Sequence, residues 1–164
     1  MQSHAAIGSA DKATFYAELR REIEALADPV WFTALANASA SLKQHLADVN
    51  WVGFYLFDGK ELVLGPFQGL SACTRIALDR GVCGAAATKR TTLVVDDVHA
   101  FPGHIACDSV SRSEIVVPIF TDSRLIGVLD VDSPSLARFD EADRRGLESI
   151  VHVLTEAILW PKQF

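Results

Sequence analysis

The chain has 164 residues, 49% of them hydrophobic and 22% charged, with a formal net charge of −6. That balance excludes a disordered or fibrous polypeptide and fits one domain with a proper core, expected over residues 11–164 behind a loose tail at 1–10. There is no basic stripe for nucleic acid or an anionic membrane, no apolar run near the roughly 18–20 residues of a spanning helix, and no basic-then-apolar signal sequence at the start.

Taken in order, Asp11 is positioned to cap a helix over residues 12–27, with Phe15, Leu19, Ile23 and Leu26 at helical spacing. Asp28-Pro29 reads as a restart, Asp at the cap and Pro at the first helical position. The second helix is expected to run to about Ala47 and to bury Phe32, Leu35, Ser39, Leu42 and Leu46. Residues 51–57 read as a strand, Asp58-Gly59 as a hairpin turn, and residues 61–65 as the return strand. Alternation puts Trp51, Gly53 and Tyr55 on one face and Val52, Phe54 and Leu56 on the other. The second face is suited to helix packing. The first, two aromatics with polar handles around a glycine gap, is suited to a pocket wall.

Further on, residues 74–78 suggest a short strand, 81–89 a short helix and 91–95 a β-branched strand. Residues 96–112 lack a period and read as a long loop with one helical turn, a length that usually signals function. Residues 114–120 and 124–132 pair as a hairpin around Thr121-Asp122-Ser123. A final helix starts at a capping Asp140, with Glu141 and Asp143 in its first turn and Leu147, Ile150, Val151, Leu154 and Ile158 on its buried stripe. Helix, helix, hairpin, crossover, hairpin, helix is an α+β order. The N- and C-terminal helices are expected on one face of a mostly antiparallel sheet, with the crossover over the face of Trp51 and Tyr55.

Two groups of residues can carry chemistry. Asp130 and Asp132 are two apart on one strand and share its face, while Glu114 opens the partner strand of the same hairpin. Carboxylates crowded in this way raise one another's proton affinity, which suits a proton donor, an ammonium site or a cation site. A plainer alternative leaves Asp132 in solvent as the strand ends at Ser133-Pro134.

The three cysteines, Cys73, Cys83 and Cys107, are an odd number without the dense spacing of a secreted scaffold, which suggests a reducing cytosol. Cys107 follows His104 in a loop of small polar residues, where the imidazole can serve as a positive neighbour. Cys83 stands near a helix N-terminus, where the dipole favours a thiolate. Either Cys73 or Cys83 can resolve what Cys107 forms. Buried, inert thiols are the alternative. A Cys3His zinc site with His104 uses the same atoms, but the closely spaced cysteine pair such sites favour is missing. Neither a nucleophile elbow nor a phosphate loop is present in the sequence.

Several segments together resemble the free methionine-R-sulfoxide reductases, single GAF domains. They are Asn50-Trp51-Val52-Gly53-Phe54-Tyr55, residues 64–69, Gly81-Val82-Cys83-Gly84, Gly103-His104-Ile105-Ala106-Cys107-Asp108, residues 113–118 and residues 127–133. The likeness extends over nearly the whole chain, with no departure at a family functional position. It implies a GAF fold of about six strands, Cys107 as the attacking cysteine, Cys73 as the main resolving cysteine and Cys83 as a third cysteine of less settled part. It further implies Trp51 and Tyr55 as pocket aromatics, and Glu114, Asp130 and Asp132 as carboxylates that hold the substrate and polarise its sulfoxide. Thioredoxin is the implied reductant, no metal or organic cofactor is implied, and a homodimer is a possible assembly. The competing class is a non-enzymatic GAF sensor, of a small ligand or of thiol redox state. It is disfavoured by the resolving pair and by an expected length that leaves no output domain.

Overall fold

The computed structural model describes residues 11–105 and 107–164, so the tail expected at 1–10 lies outside the described residues. Its sheet is built outward from β1 (Trp51–Phe57). On one side β1 pairs with β2 (Leu62–Gln68), and β2 with β3 (Arg75–Ile76). On the other it pairs with β6 (Arg124–Ser133), followed by β5 (Ser113–Thr121) and β4 (Leu93–Val95). All pairings are antiparallel in the order β3-β2-β1-β6-β5-β4. The helices are α1 (Lys12–Leu26), α2 (Trp31–His45), α3 (Gly81–Lys89) and α4 (Glu141–Ala157). This is an α+β fold with a six-stranded antiparallel sheet.

The alternation along β1 separates two cores. Val52, Phe54 and Leu56 join the residues that α1, α2 and α4 bury. Trp51 and Tyr55 join Val82, Cys83, Ala86 and Ala87 of α3. Helices α2 and α4 pack on the sheet, and α1 packs across both of them. Helix α3 and the crossover lie over the opposite face, against β5 and β6.

Helix α4 is started as expected. Asp140 and Asp143 form a reciprocal capping box, and Leu147, Ile150, Val151 and Leu154 are buried, with Ile158 buried just past its end. Asp143 also accepts from Tyr16 Oη (2.7 Å), Lys12 Nζ (2.7 Å) and Arg138 Nη1 (3.2 Å), which ties α1 to α4.

Other expectations need correction. Asp11 sits at the start of α1 but makes no side-chain cap hydrogen bond. The buried positions of α1 are Tyr16, Leu19 and Ile23, whereas Leu26 is exposed and Phe15 only partly buried. Pro29 is not the first residue of α2. The Asp28 carboxylate accepts from Val30 N–H (2.7 Å) in a turn, and the helix starts at Trp31. Phe32 is therefore rotated to the outside and exposed, while Leu35, Ser39, Leu42 and Leu46 are buried. The return strand β2 continues through Pro66 to Gln68, because Pro66 falls in the bulge where the β1–β2 register shifts between Gly53 and Tyr55. The helical turn expected in the long loop is present as a 3-10 turn at Val98–Ala100, capped by the Asp97 side chain.

Candidate active site

Strand register assembles the carboxylates. Trp51 lies opposite Asp132 and Gly53 opposite Asp130 in the β1–β6 ladder; Glu114 lies opposite Asp132 in the β5–β6 ladder. All three acids therefore emerge on the α3 face, beside Trp51 and Tyr55. Together with Cys83, His104, Ile105, Cys107, Asp108 and Ser111 they line one pocket, so every site residue expected from the sequence other than Cys73 lines it, and Cys73 is bonded to Cys107.

Gly53 is required where it stands. A Cβ there would strike Phe67 Cβ and come within 2.6 Å of Trp51 Cη2. Without one, Trp51 stacks between Phe67 (5.3 Å between centroids) and Tyr55 (5.9 Å) and donates from Nε1 to the Leu70 carbonyl (3.0 Å). The indole is thus a fixed apolar wall. The Tyr55 hydroxyl donates to the Cys73 carbonyl (3.0 Å), so this aromatic also anchors the segment that carries Cys73. Burial, with nearby Asp130, drives its pKa upward, keeping it a neutral donor.

Cys73 and Cys107 form a disulfide, with Cα atoms 5.5 Å apart and both residues half-buried. This pairing removes both sulfurs from the zinc quartet weighed with His104 and Cys83. Cys83 is free and buried. Gly81, at φ +60°, turns the chain sharply into α3 and brings Cys83 inward, its Sγ 3.9 Å from Glu114 Oε1. The expectation of a dipole-stabilised thiolate is overturned. Burial, then Asp130, Glu114 and Asp132, push the Cys83 thiol well above its ordinary range, and these outweigh a helix dipole worth roughly 0.3–1 kcal/mol.

Glu114 is likewise held well above the ordinary carboxylate range, by burial first and then by Asp130 and Asp132. Asp132 is half-buried rather than in open solvent, and burial, Asp130 and Asp108 raise it in the same way. Asp130 rises to about 6, its burial offset in part by the Glu114 and Cys83 side chains beside it. Burial thus raises all three acids, which lie close enough to titrate together. His104 Nε2 stands 4.0 Å from Glu114 Oε2, but burial and His99 lower its pKa. It is therefore not the standing positive neighbour expected for Cys107.

One positioning residue was missed. Asn50 Nδ2 donates to Asp108 Oδ2 and Ser111 Oγ (both 3.0 Å), and its N–H donates to the Asp132 carbonyl (3.0 Å). It fastens the Cys107 loop to the start of β1. An amide side chain at the mouth of an aromatic strand was the available signal, but its partners are about sixty residues away (separations 58 and 61).

Comparison with known proteins bears on this site. The GAF domain family matches residues 33–158. A free methionine-R-sulfoxide reductase of Escherichia coli (strain K12) is 47% identical over 150 residues, covering 90% of this chain and 91% of the relative. The X-ray structure of free methionine-R-sulfoxide reductase from Neisseria meningitidis, in complex with its substrate, is 50% identical with a TM-score of 0.87, covering 96% of this chain and 95% of that one. The reduced fRMsr of Staphylococcus aureus is 49% identical with a TM-score of 0.84, covering 87% and 94%.

Proposed function

Because the chain belongs to the GAF domain family and, within it, to the free methionine-R-sulfoxide reductases, we propose that it is an oxidoreductase that reduces free L-methionine-R-sulfoxide to methionine. The observation that carries this reading is that Cys107, disulfide-bonded to Cys73, and the buried Glu114 line one pocket.

In the proposed cycle the reduced Cys107 thiolate attacks the sulfoxide sulfur. That sulfur is a poor electrophile until its oxygen is protonated, and Glu114, assisted by Asp132, supplies the proton. The hydroxyl then passes from the substrate sulfur to Cys107 Sγ as the substrate S–O bond and the newly formed S–S bond break: the sulfoxide sulfur is reduced by two electrons and leaves as methionine, and Cys107 is oxidised to a sulfenic acid. The Cys73 thiol then displaces the sulfenic hydroxyl, releasing water and forming the disulfide. Both sulfurs belong to half-buried residues, within reach of an outside dithiol, for which we propose thioredoxin. Asp130 holds the substrate ammonium. The Trp51 face takes the S-methyl group and favours the R epimer. Cys83, buried and held protonated, supports the carboxylate cluster and does not compete with Cys73. Among the described residues no helix is long and apolar enough to cross a membrane. We propose a reducing cytosol as the setting, since a disulfide that cycles needs a steady supply of dithiol.

The test offers free L-methionine-R-sulfoxide and the S epimer separately, with thioredoxin, its reductase and NADPH. Turnover is expected on the R epimer alone, and Cys107→Ser is expected to abolish it while retaining substrate binding. Turnover of neither epimer by a folded protein, with the reductant shown to be working, would refute the reading and favour a ligand sensor.

A further inference from the structure

Cys83, Glu114 and Asp130 are all buried at the pocket, at 3%, 6% and 6% exposure. Each offers one ligand atom, and these atoms lie within 4.8 Å of one another. Cys83 Sγ and Glu114 Oε1 are 3.9 Å apart. A tetrahedral ion with metal–sulfur bonds of about 2.3 Å and metal–oxygen bonds of about 2.0–2.2 Å places its sulfur and oxygen ligands roughly 3.6 Å apart, so a few tenths of an ångström of side-chain adjustment suffices. Independently, Asp130 Oδ1 is buried with no hydrogen-bond partner. An orphaned carboxylate oxygen in such a position calls for a cation or a donor.

We infer that Cys83, Glu114 and Asp130 form a binding site for a borderline-soft divalent cation of the zinc class. One sulfur and two carboxylate oxygens select a transition ion over calcium or magnesium, which prefer all-oxygen shells. Three protein ligands leave a fourth position open toward the pocket. The free space of the pocket as a whole, about 40 Å³, exceeds the roughly 10–15 Å³ that one water needs. The ion binds as the Cys83 thiol and the Glu114 carboxyl each give up a proton to solvent, with no change of oxidation state. It occupies the end of the pocket that the reductase reading assigns to the substrate's ammonium and sulfoxide. Ion and substrate therefore exclude each other, a consequence that rests on that reading while the site itself does not.

The disulfide-bonded protein makes the test clean, since among its cysteines only Cys83 is then a free thiol. Co²⁺ is titrated into untagged, disulfide-bonded protein and followed by absorption, with Zn²⁺ added afterwards as competitor. A thiolate-to-cobalt charge-transfer band saturating at one ion per chain, and bleached by Zn²⁺, is expected. The band is expected to vanish in Cys83→Ser, and Glu114→Gln is expected to weaken Co²⁺ binding at least about tenfold. Absence of the band in the folded wild type, or its survival in Cys83→Ser, overturns the inference. Should Cys83→Ser fail to fold, Glu114→Gln decides alone, unchanged affinity counting against the site. None of these readouts involves turnover, so they stand or fall separately from the reductase assay.

Discussion

Two sets of buried carboxylates lie on opposite sides of one sheet and differ in their company. Asp143, 1% exposed, is surrounded by Lys12, Arg138, the Tyr16 hydroxyl and the Asp140 N–H. Among the described residues, no lysine or arginine pairs with Glu114, Asp130 or Asp132. Their close neighbours are one another, Cys83, and His104, itself poorly able to hold charge. The first arrangement satisfies a charge and so fastens two helices. The second withholds cations and so stores protons, at a cost in stability that a purely structural site would not carry. In the proposed cycle this difference separates the acid that serves the fold from those that serve chemistry.

The largest expected effect that separates them is on catalysis. Glu114→Gln keeps the shape but cannot donate an acidic proton, and kcat for the R epimer is expected to fall about 10²–10⁴-fold with the thermal midpoint held or raised. The mirror experiment is Asp143→Ala. It leaves Lys12 and Arg138 without their shared partner and removes half of the α4 cap, so stability measured by denaturant unfolding is expected to fall by about 3–5 kcal/mol while KM changes little. Equal behaviour of the two variants would erase the distinction.

A smaller effect appears in the pH dependence of stability. The folded-state pKa of Asp130 is raised from 3.8 to about 6. The folded state therefore binds that proton more tightly than the unfolded chain. The resulting stabilisation is complete below pH 3.8 and is lost as pH rises through about 6. Unfolding curves from about pH 4 to pH 7 are expected to show wild type losing up to about 3 kcal/mol relative to Asp130→Asn. Asp140 runs the other way. Its hydrogen bond to Lys12 lowers it to about 2, so its contribution holds at neutral pH and fades only as pH falls through that value.

Much of this contrast was legible in the sequence wherever the determinant was local. The period-2 pattern of residues 51–57 separated the helix face from the pocket face, and the spacing of Asp130 and Asp132 put both on the latter. The bounds of α3 and the cap of α4 followed from glycine and aspartate at element ends. What escaped depends on distant partners. Leu26 and Phe32 fit a helical stripe, yet they fall near the α1–α2 junction and both are exposed. Cys83 has an electropositive helix start nearby in sequence, but strands β5 and β6 bring three acids to it. Asn50 and the Tyr55 hydroxyl act on the Cys107 loop and on the Cys73 carbonyl, contacts that appear only once the crossover is folded back over the sheet.

The most direct measurement is the protonation state of Glu114 itself. Infrared spectra of wild type and Glu114→Gln, recorded near neutral pH in deuterated and ordinary buffer, isolate the carbonyl stretch of a protonated carboxylic acid. The expected result is a band in wild type that shifts on deuteration and is absent from Glu114→Gln. Identical spectra, with only ionised carboxylate in both, would contradict the claim that this pocket stores the proton its chemistry needs.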